Sequence, residues 1–198
     1  MPSTIYYIRH GQTGWNVEGR FQGSKDIPLN EFGRSQAAAS GEILGRLLAQ
    51  DGRLASALPF VSSPLGRART TMELVRGALK LPVTGYAVDN RLREIGFGHW
   101  EGLTVTEMQA NDAVTFASRA VNKWSVAAPA GESYASVTLR IRAWLNSVTT
   151  DTVAVAHGGT MRALMVALGI ATELEAIEIP IGQGVVYVFR DGGLQKYS

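Results

Sequence analysis

Residues 4–16 read TIYYIRHGQTGWN, and residues 153–159 read VAVAHGG. In each, a short apolar run with aromatic or β-branched members ends in a histidine followed by glycine. Runs of this length and composition are buried strands, so each histidine stands where the chain leaves the core. Two of the three histidines occupy this position. In open α/β sheets, ligands bind beyond the carboxyl ends of the strands, where the following helix offers its positive N-terminus to anions. The two strand ends therefore predict one pocket shared by His10 and His157.

Outward from these strand ends, apolar runs alternate with helix-period patterns, the signature of a sheet layered by helices. Strands are expected at 5–8, 59–62, 83–88, 153–156 and 185–189, and helices at 31–49, 65–79, 133–148 and 160–168. Pro28 and Asn30 mark the start of the first helix, which carries Ala37, Ile43, Leu44, Leu47 and Leu48 at three- and four-residue spacing. Asp191-Gly192-Gly193 predicts a terminal hairpin turn. Residues 96–131, with Trp100 and Trp124, break the alternation and read as a helical cap inserted over the sheet. The expected architecture is one α/β domain over residues 1–198, a three-layer α/β/α sandwich with a mostly parallel central sheet and a small helical cap.

A chain of 198 residues can bury a full core without staples. With 45% hydrophobic and 18% charged residues it has an ordinary globular balance. Its net charge is only +2, and the pI near 9.0 reflects a slight excess of Lys and Arg without a basic stripe, which argues against a nucleic-acid partner. The absence of cysteine excludes disulfides, thiolate metal ligands and thiol nucleophiles. The N-terminus shows no basic segment followed by an apolar one, and no run approaches the roughly 18 apolar residues of a membrane span. The expectation is a cytoplasmic protein with no membrane partner. Edge strands and apolar cap residues leave room for a homodimer.

A third strand end, FVSSPLGRARTT at residues 60–71, presents Arg67 and Arg69 in the first turn of a helix. Arg9 and one of these would supply planar, permanently charged forks suited to phosphate oxygens, with Arg69 the better candidate for a solvated residue. Taken singly, each residue also has a bland reading, as a hydrogen-bonded strand-end histidine or a solvated arginine. Three histidines also suit zinc, but no HxxxH or HxH spacing is present, and neighbouring guanidinium groups repel a cation.

The stretches RHGQTGWN, RFQGSKDIPLNEFG, SSPLGRARTT, LREIGFGHWEG, PAGES and AHGGTMR resemble, in order, the motifs of the histidine phosphatase superfamily, also called the phosphoglycerate mutase-like family. The likeness runs through nearly the whole chain. It implies that His10 attacks phosphorus to form a phosphohistidine while Arg9, Arg67 and a protonated His157 hold the phosphoryl group, with no metal or other cofactor. Phosphoryl transfer asks mainly for in-line positioning and neutralised charge, which such a set provides. A neutral His10 has a lone pair for attack, and its other ring nitrogen is expected to donate to a backbone carbonyl.

The same resemblance implies Glu94, in LREIG, as the acid that protonates the leaving alcohol and later draws a proton from water, with Glu101 as runner-up. The bland reading of Glu94 is a salt bridge with Arg91 or Arg93. Asn16 and Gln22 match positions that contact the phosphate, as does the backbone amide of Gly158. His99 reads as a cap residue near the pocket mouth, and Trp15 and Trp100 as packing. Arg20, Lys25, Arg93, Arg119, Lys123 and Arg162 are candidates for the mouth, most of them as solvated face. The implied reaction is hydrolysis of a small phosphorylated metabolite. LREIGFGHWEG resembles the phosphatase branch, whereas glycolytic mutases carry an ERHYG-like stretch and a longer insertion that excludes water. A phosphoglycerate mutase and a non-catalytic phosphate-binding module stand as alternatives.

Overall fold

A computed structural model describes residues 3–198. In chain order the elements are β1 (Ile5–Arg9), α1 (Gly14–Val17), α2 (Glu31–Gln50), β2 (Phe60–Ser62), α3 (Gly66–Ala78), β3 (Ala87–Val88), α4 (Val105–Asn111), α5 (Ala113–Val121), α6 (Tyr134–Leu145), β4 (Thr152–Ala156), α7 (Gly158–Ala167), α8 (Glu173–Glu178), β5 (Val186–Arg190) and β6 (Gly193–Tyr197). The strands form one sheet in the order β3-β2-β4-β1-β5-β6. The first four of these run parallel, and β5 is antiparallel to both of its neighbours.

Strand alternation sorts the core into two layers. Tyr6 and Ile8 of β1, with Val153 and Val155 of β4, pack against Leu44 and Leu48 of α2 and Met72 and Val75 of α3. Ile5, Tyr7, Ala154 and Ala156 point the other way, into a core with Val137 and Ile141 of α6 and Met161 and Leu164 of α7. Both faces of the central strands are thus covered, which is why they read as unbroken apolar runs. The three-layer sandwich with a mostly parallel sheet is the architecture expected from the sequence.

The register decides the chemistry. Strand β1 pairs with β4 from Ile5 opposite Thr152 to Arg9 opposite Ala156, so the next residue on each strand is a histidine. The His10 amide completes the ladder by donating to the Ala156 carbonyl at 2.9 Å.

Some element bounds shift from the sequence reading, for local reasons. Helix α7 begins at Gly158 rather than residue 160, because His157 takes the extended N-cap conformation and its carbonyl accepts from Met161. Strand β3 holds only Ala87 and Val88, both exposed, rather than residues 83–88. Gly85, at φ +102°, turns the chain just before it, so pairing with β2 is confined to those two residues. Helix α2 starts after Asn30, whose side chain accepts from the Gly33 amide at 2.7 Å. Asp191 and Gly192 have φ of 51° and 74°, the left-handed pair that a two-residue hairpin turn needs, and β6 follows.

Residues 96–131 contain α4 and α5, which lie outside the sheet. Trp100, Met108 and Trp124 are buried in the same core as α6 and α7, and Trp124 stacks on Tyr134 with ring centroids 5.4 Å apart.

Candidate active site

His10 is 2% exposed at the end of β1. Its Nδ1 lies 2.8 Å from the Gly11 carbonyl. A carbonyl only accepts, so Nδ1 carries the hydrogen and Nε2 keeps the lone pair. Burial first, then Arg9 and Arg67, hold the ring well below the ordinary histidine range, while the Gly11 carbonyl acts in the opposite sense. His10 is therefore neutral, as a nitrogen nucleophile must be. Gly11, next to His10, packs directly on the backbone of α2. A β-carbon there would lie 2.0 Å from the Gly33 carbonyl oxygen, so glycine is needed for the approach of α2.

His157, fully buried at the end of β4, lies beside His10 with ring centroids 5.1 Å apart. Its Nε2 is 2.7 Å from Ser63 Oγ, which itself accepts from the Leu65 amide. With the Ser63 hydroxyl donating to Nε2, the ring proton sits on Nδ1, the tautomer that turns a donor toward a ligand. The Tyr7 hydroxyl reinforces the backbone here, accepting from the His157 amide at 3.0 Å and donating to its carbonyl at 2.8 Å. Burial, with Arg67, His10 and Arg9 nearby, holds this ring well below the ordinary histidine range, which opposes the protonated form that the resemblance implies.

Arg67 is 1% exposed, and its two terminal nitrogens donate to the Lys25 and Gly23 carbonyls at 2.5 and 2.8 Å. Arg9 donates from Nη1 to the Ile181 carbonyl at 2.6 Å, and Arg162 from Nη2 to the Ile179 carbonyl at 3.1 Å. Burial lowers the pKa of both Arg9 and Arg67, but an arginine remains charged regardless. Among the described residues, the buried side-chain polar atoms without a partner are Arg9 Nε, Arg67 Nε, Arg162 Nε, His157 Nδ1 and Gln22 Oε1. All five belong to one neighbourhood, and four are donors. Buried polar groups are ordinarily paired, so this concentration marks a site built for an anion. Rotating the Gln22 amide by half a turn would present its donors as well.

A cavity of about 280 Å³ gathers Arg9, His10, Asn16, Gln22, Arg67, Glu94, Gly158 and Arg162. His157 is not among its lining residues and stands beside His10. The Asn16 oxygen is occupied by Thr13 and by the Gln183 amide, which leaves its Nδ2 for a ligand. Gly158 is the first residue of α7, so its amide belongs to a positive helix N-terminus.

Glu94 forms neither of the surface salt bridges of its bland reading. Arg91 pairs with Asp89 at 2.6 Å, and Arg93 donates to Ser24. The Glu94 carboxylate accepts from the Ile95 amide at 2.9 Å and the Gly159 amide at 3.3 Å, which fixes it at the cavity wall. A β-carbon on Gly159 would lie 2.4 Å from Glu94 Oε1, so this glycine makes room for the carboxylate. Arg140 holds the Glu94 carbonyl at 3.2 Å and pairs with Glu132, which accepts from the Gly96 amide. Glu101, the runner-up, sits differently from Glu94. Its carboxylate accepts from the Ser24 and Phe97 amides and does not line this cavity.

Arg162 was read mainly as a mouth residue, but it lies inside the site, one helical turn after Gly158. Ser63, Tyr7 and Tyr134 were not singled out from the sequence. Ser63 was visible only as part of SSPLGRARTT, and Tyr7 and Tyr134 as apolar-face residues. Arg69 and Lys25 are exposed, and Arg93, Arg119 and Lys123 do not line the cavity. His99 is exposed and does not line it either, so the three histidines do not form one cluster. Among the described residues no three His, Cys, Asp or Glu side chains are grouped to hold a metal ion.

A family model described as the histidine phosphatase superfamily, branch 1, matches residues 5–195. The chain belongs to the histidine phosphatase superfamily. A glucosyl-3-phosphoglycerate phosphatase of Mycobacterium tuberculosis is 37% identical over 178 residues, covering 83% of this chain and 74% of that protein. A 2,3-bisphosphoglycerate-dependent phosphoglycerate mutase 2 of Gloeobacter violaceus is 31% identical over 191 residues, covering 88% and 80%. Among solved superfamily structures, a mycobacterial glucosyl-3-phosphoglycerate phosphatase complexed with VO3 superimposes with a TM-score of 0.77 at 32% identity, over 94% of this chain and 92% of that one.

Proposed function

We propose that the protein is a phosphatase that hydrolyses a phosphomonoester through a phosphohistidine on His10, without a metal ion. The observation that carries this reading is the set of partnerless buried donors, Arg9 Nε, Arg67 Nε, Arg162 Nε and His157 Nδ1, around a neutral imidazole. In the first step the Nε2 lone pair of His10 forms a P–N bond as the ester P–O bond breaks, and Glu94 in its acid form gives its proton to the leaving oxygen. In the second step water attacks phosphorus, Glu94 takes the water proton, and the P–N bond breaks to release inorganic phosphate and regenerate His10. The guanidinium groups and His157 Nδ1–H neutralise the equatorial oxygens, where charge spreads in the transition state. Asn16, Gln22 and the Gly158 amide supply further contacts. Residues 96–131 serve as the cap of a single domain, and the reaction is placed in the cytoplasm.

The phosphatase relatives and the VO3 complex support this reading. The mutase relative keeps a second one in play, transfer of the phosphoryl group between positions of phosphoglycerate. Incubation with phosphomonoesters in EDTA separates them. The expected result is release of inorganic phosphate, inhibition by vanadate and an acid-labile phosphoenzyme that forms on His10. Isomerisation of 3-phosphoglycerate, primed by bisphosphate and faster than phosphate release, would replace the phosphatase by a mutase. Binding of phosphate without turnover of any ester would leave only a binding module.

A further inference from the structure

Glu94 stands between two spaces. On one side is the phosphate cavity, and on the other a second cavity of about 630 Å³, lined also by Asn90, Arg93, Gly96, Glu132 and Arg140. Leu92 and Ile95 anchor the segment in the core at 0% and 1% exposure, but between them the backbone of Glu94 has open space on both sides. Hydrogen bonds hold it instead. From α6, Arg140 donates through Nη1 to the Arg91 carbonyl at 2.7 Å and through Nη2 to the Glu94 carbonyl at 3.2 Å. Its Nε and Nη2 also meet the two carboxylate oxygens of Glu132, each at 3.1 Å. Glu132 accepts in turn from the Gly96 amide at 2.8 Å, and its own amide donates to the Gly96 carbonyl at 2.8 Å.

The Glu94 carbonyl and the Ile95 amide belong to one planar peptide and point in opposite directions across it. That amide donates to the Glu94 carboxylate at 2.9 Å. Arg140 therefore grips one edge of the peptide whose other edge holds the carboxylate, and a rotation that broke the first bond would turn the second away. Neither Arg140 nor Glu132 lines the phosphate cavity. We infer that Arg140 and Glu132 are positioning residues for proton transfer: they set the 94–95 peptide and, through it, the direction in which Glu94 presents its proton to the leaving oxygen. This deepens the phosphatase reading above and rests on it.

The test compares Arg140→Met with the unaltered protein on two esters in EDTA. Butyl phosphate has an alkoxide that must be protonated to leave, whereas p-nitrophenyl phosphate has a phenolate that leaves unaided. A small misplacement of a catalytic group is costly, so kcat/KM for butyl phosphate is expected to fall roughly 10- to 100-fold. For p-nitrophenyl phosphate, which does not need the proton, the fall should be less than about threefold. Vanadate inhibition should be unchanged, because the phosphate cavity is not touched. In a Glu94→Gln background the same substitution should cost less than about twofold on butyl phosphate, since the group it positions is already gone. Glu132→Gln keeps an oxygen for the Gly96 amide but gives up the ion pair, and it carries the same comparison if Arg140→Met does not fold. Equal falls on both esters, weaker vanadate inhibition, or an undiminished further loss in the double variant would make the pair merely structural and overturn the inference, leaving the phosphatase reading intact. So would turnover of p-nitrophenyl phosphate alone by the unaltered protein. Turnover of neither ester overturns both.

Discussion

His10 and His157 lie ring to ring, with centroids 5.1 Å apart and planes tilted by 59°, although 146 residues of sequence separate them. The parallel register of β1 and β4 puts them there, since Arg9 opposite Ala156 makes the following residues neighbours. Two buried imidazoles this close, with Arg67 and Arg9 beside them, cannot both take up protons cheaply. The site therefore offers neutral nitrogen and fixed positive charge together, the combination that an attack on a phosphate ester requires.

That arrangement makes stability depend on pH. Both rings have folded-state values well below 6.5, with burial as the first cause. Below about pH 6.5 the unfolded chain binds protons that the folded chain does not, so the stability they permit is full above that pH and is lost as the pH falls. The slope should approach about 1.4 kcal/mol per pH unit for each ring. Urea titrations between pH 7.5 and 5.5 measure it. The His10→Gln variant should show the slope of one ring fewer, and an unaltered slope would mean that His10 titrates normally.

Removal of the nucleophile should abolish turnover. His10→Ala is expected to lose activity by roughly 10^4-fold or more, with the fold intact by circular dichroism. Full activity in this variant would move the nucleophile to another residue.

Glu94→Gln should discriminate between leaving groups. Without its proton, hydrolysis of alkyl phosphates is expected to slow by roughly 10^2- to 10^4-fold. p-Nitrophenyl phosphate, whose leaving group departs as a stable anion, should lose much less. Equal losses on both substrates would assign Glu94 to positioning instead of proton transfer.

Two glycines should fail in different ways. Gly11→Ala puts a methyl group 2.0 Å from a backbone oxygen of α2, and backbone cannot swing aside as a side chain can. Destabilisation of about 3 kcal/mol or more is expected by denaturant titration. Gly159→Ala meets the Glu94 carboxylate at 2.4 Å and an Ile95 methyl at 2.6 Å, so it should cut kcat more than stability. A fully active Gly159→Ala would show that Glu94 can do its work from another position.

Much of this protein is local and therefore legible in the residues alone. The apolar runs that end at His10 and His157, the Asn30 cap of α2 and the Asp191-Gly192 turn depend on neighbours within a few positions, where propensity and periodicity act. The motif order carried Arg9, Arg67, Glu94, Asn16, Gln22 and Gly158 to one cavity, where the structure finds them. What the residues alone left open depends on long-range packing. Ser63 reaches His157 only because β2 lies beside β4, and Tyr7 braces His157 because β1 lies on its other side. The same packing buries His157 against Arg67 and so opposes the protonated form that its motif implies, because desolvation and neighbouring cations act through space and not along the chain. The need for glycine at position 11 likewise comes from α2, which arrives at that position only in the folded molecule.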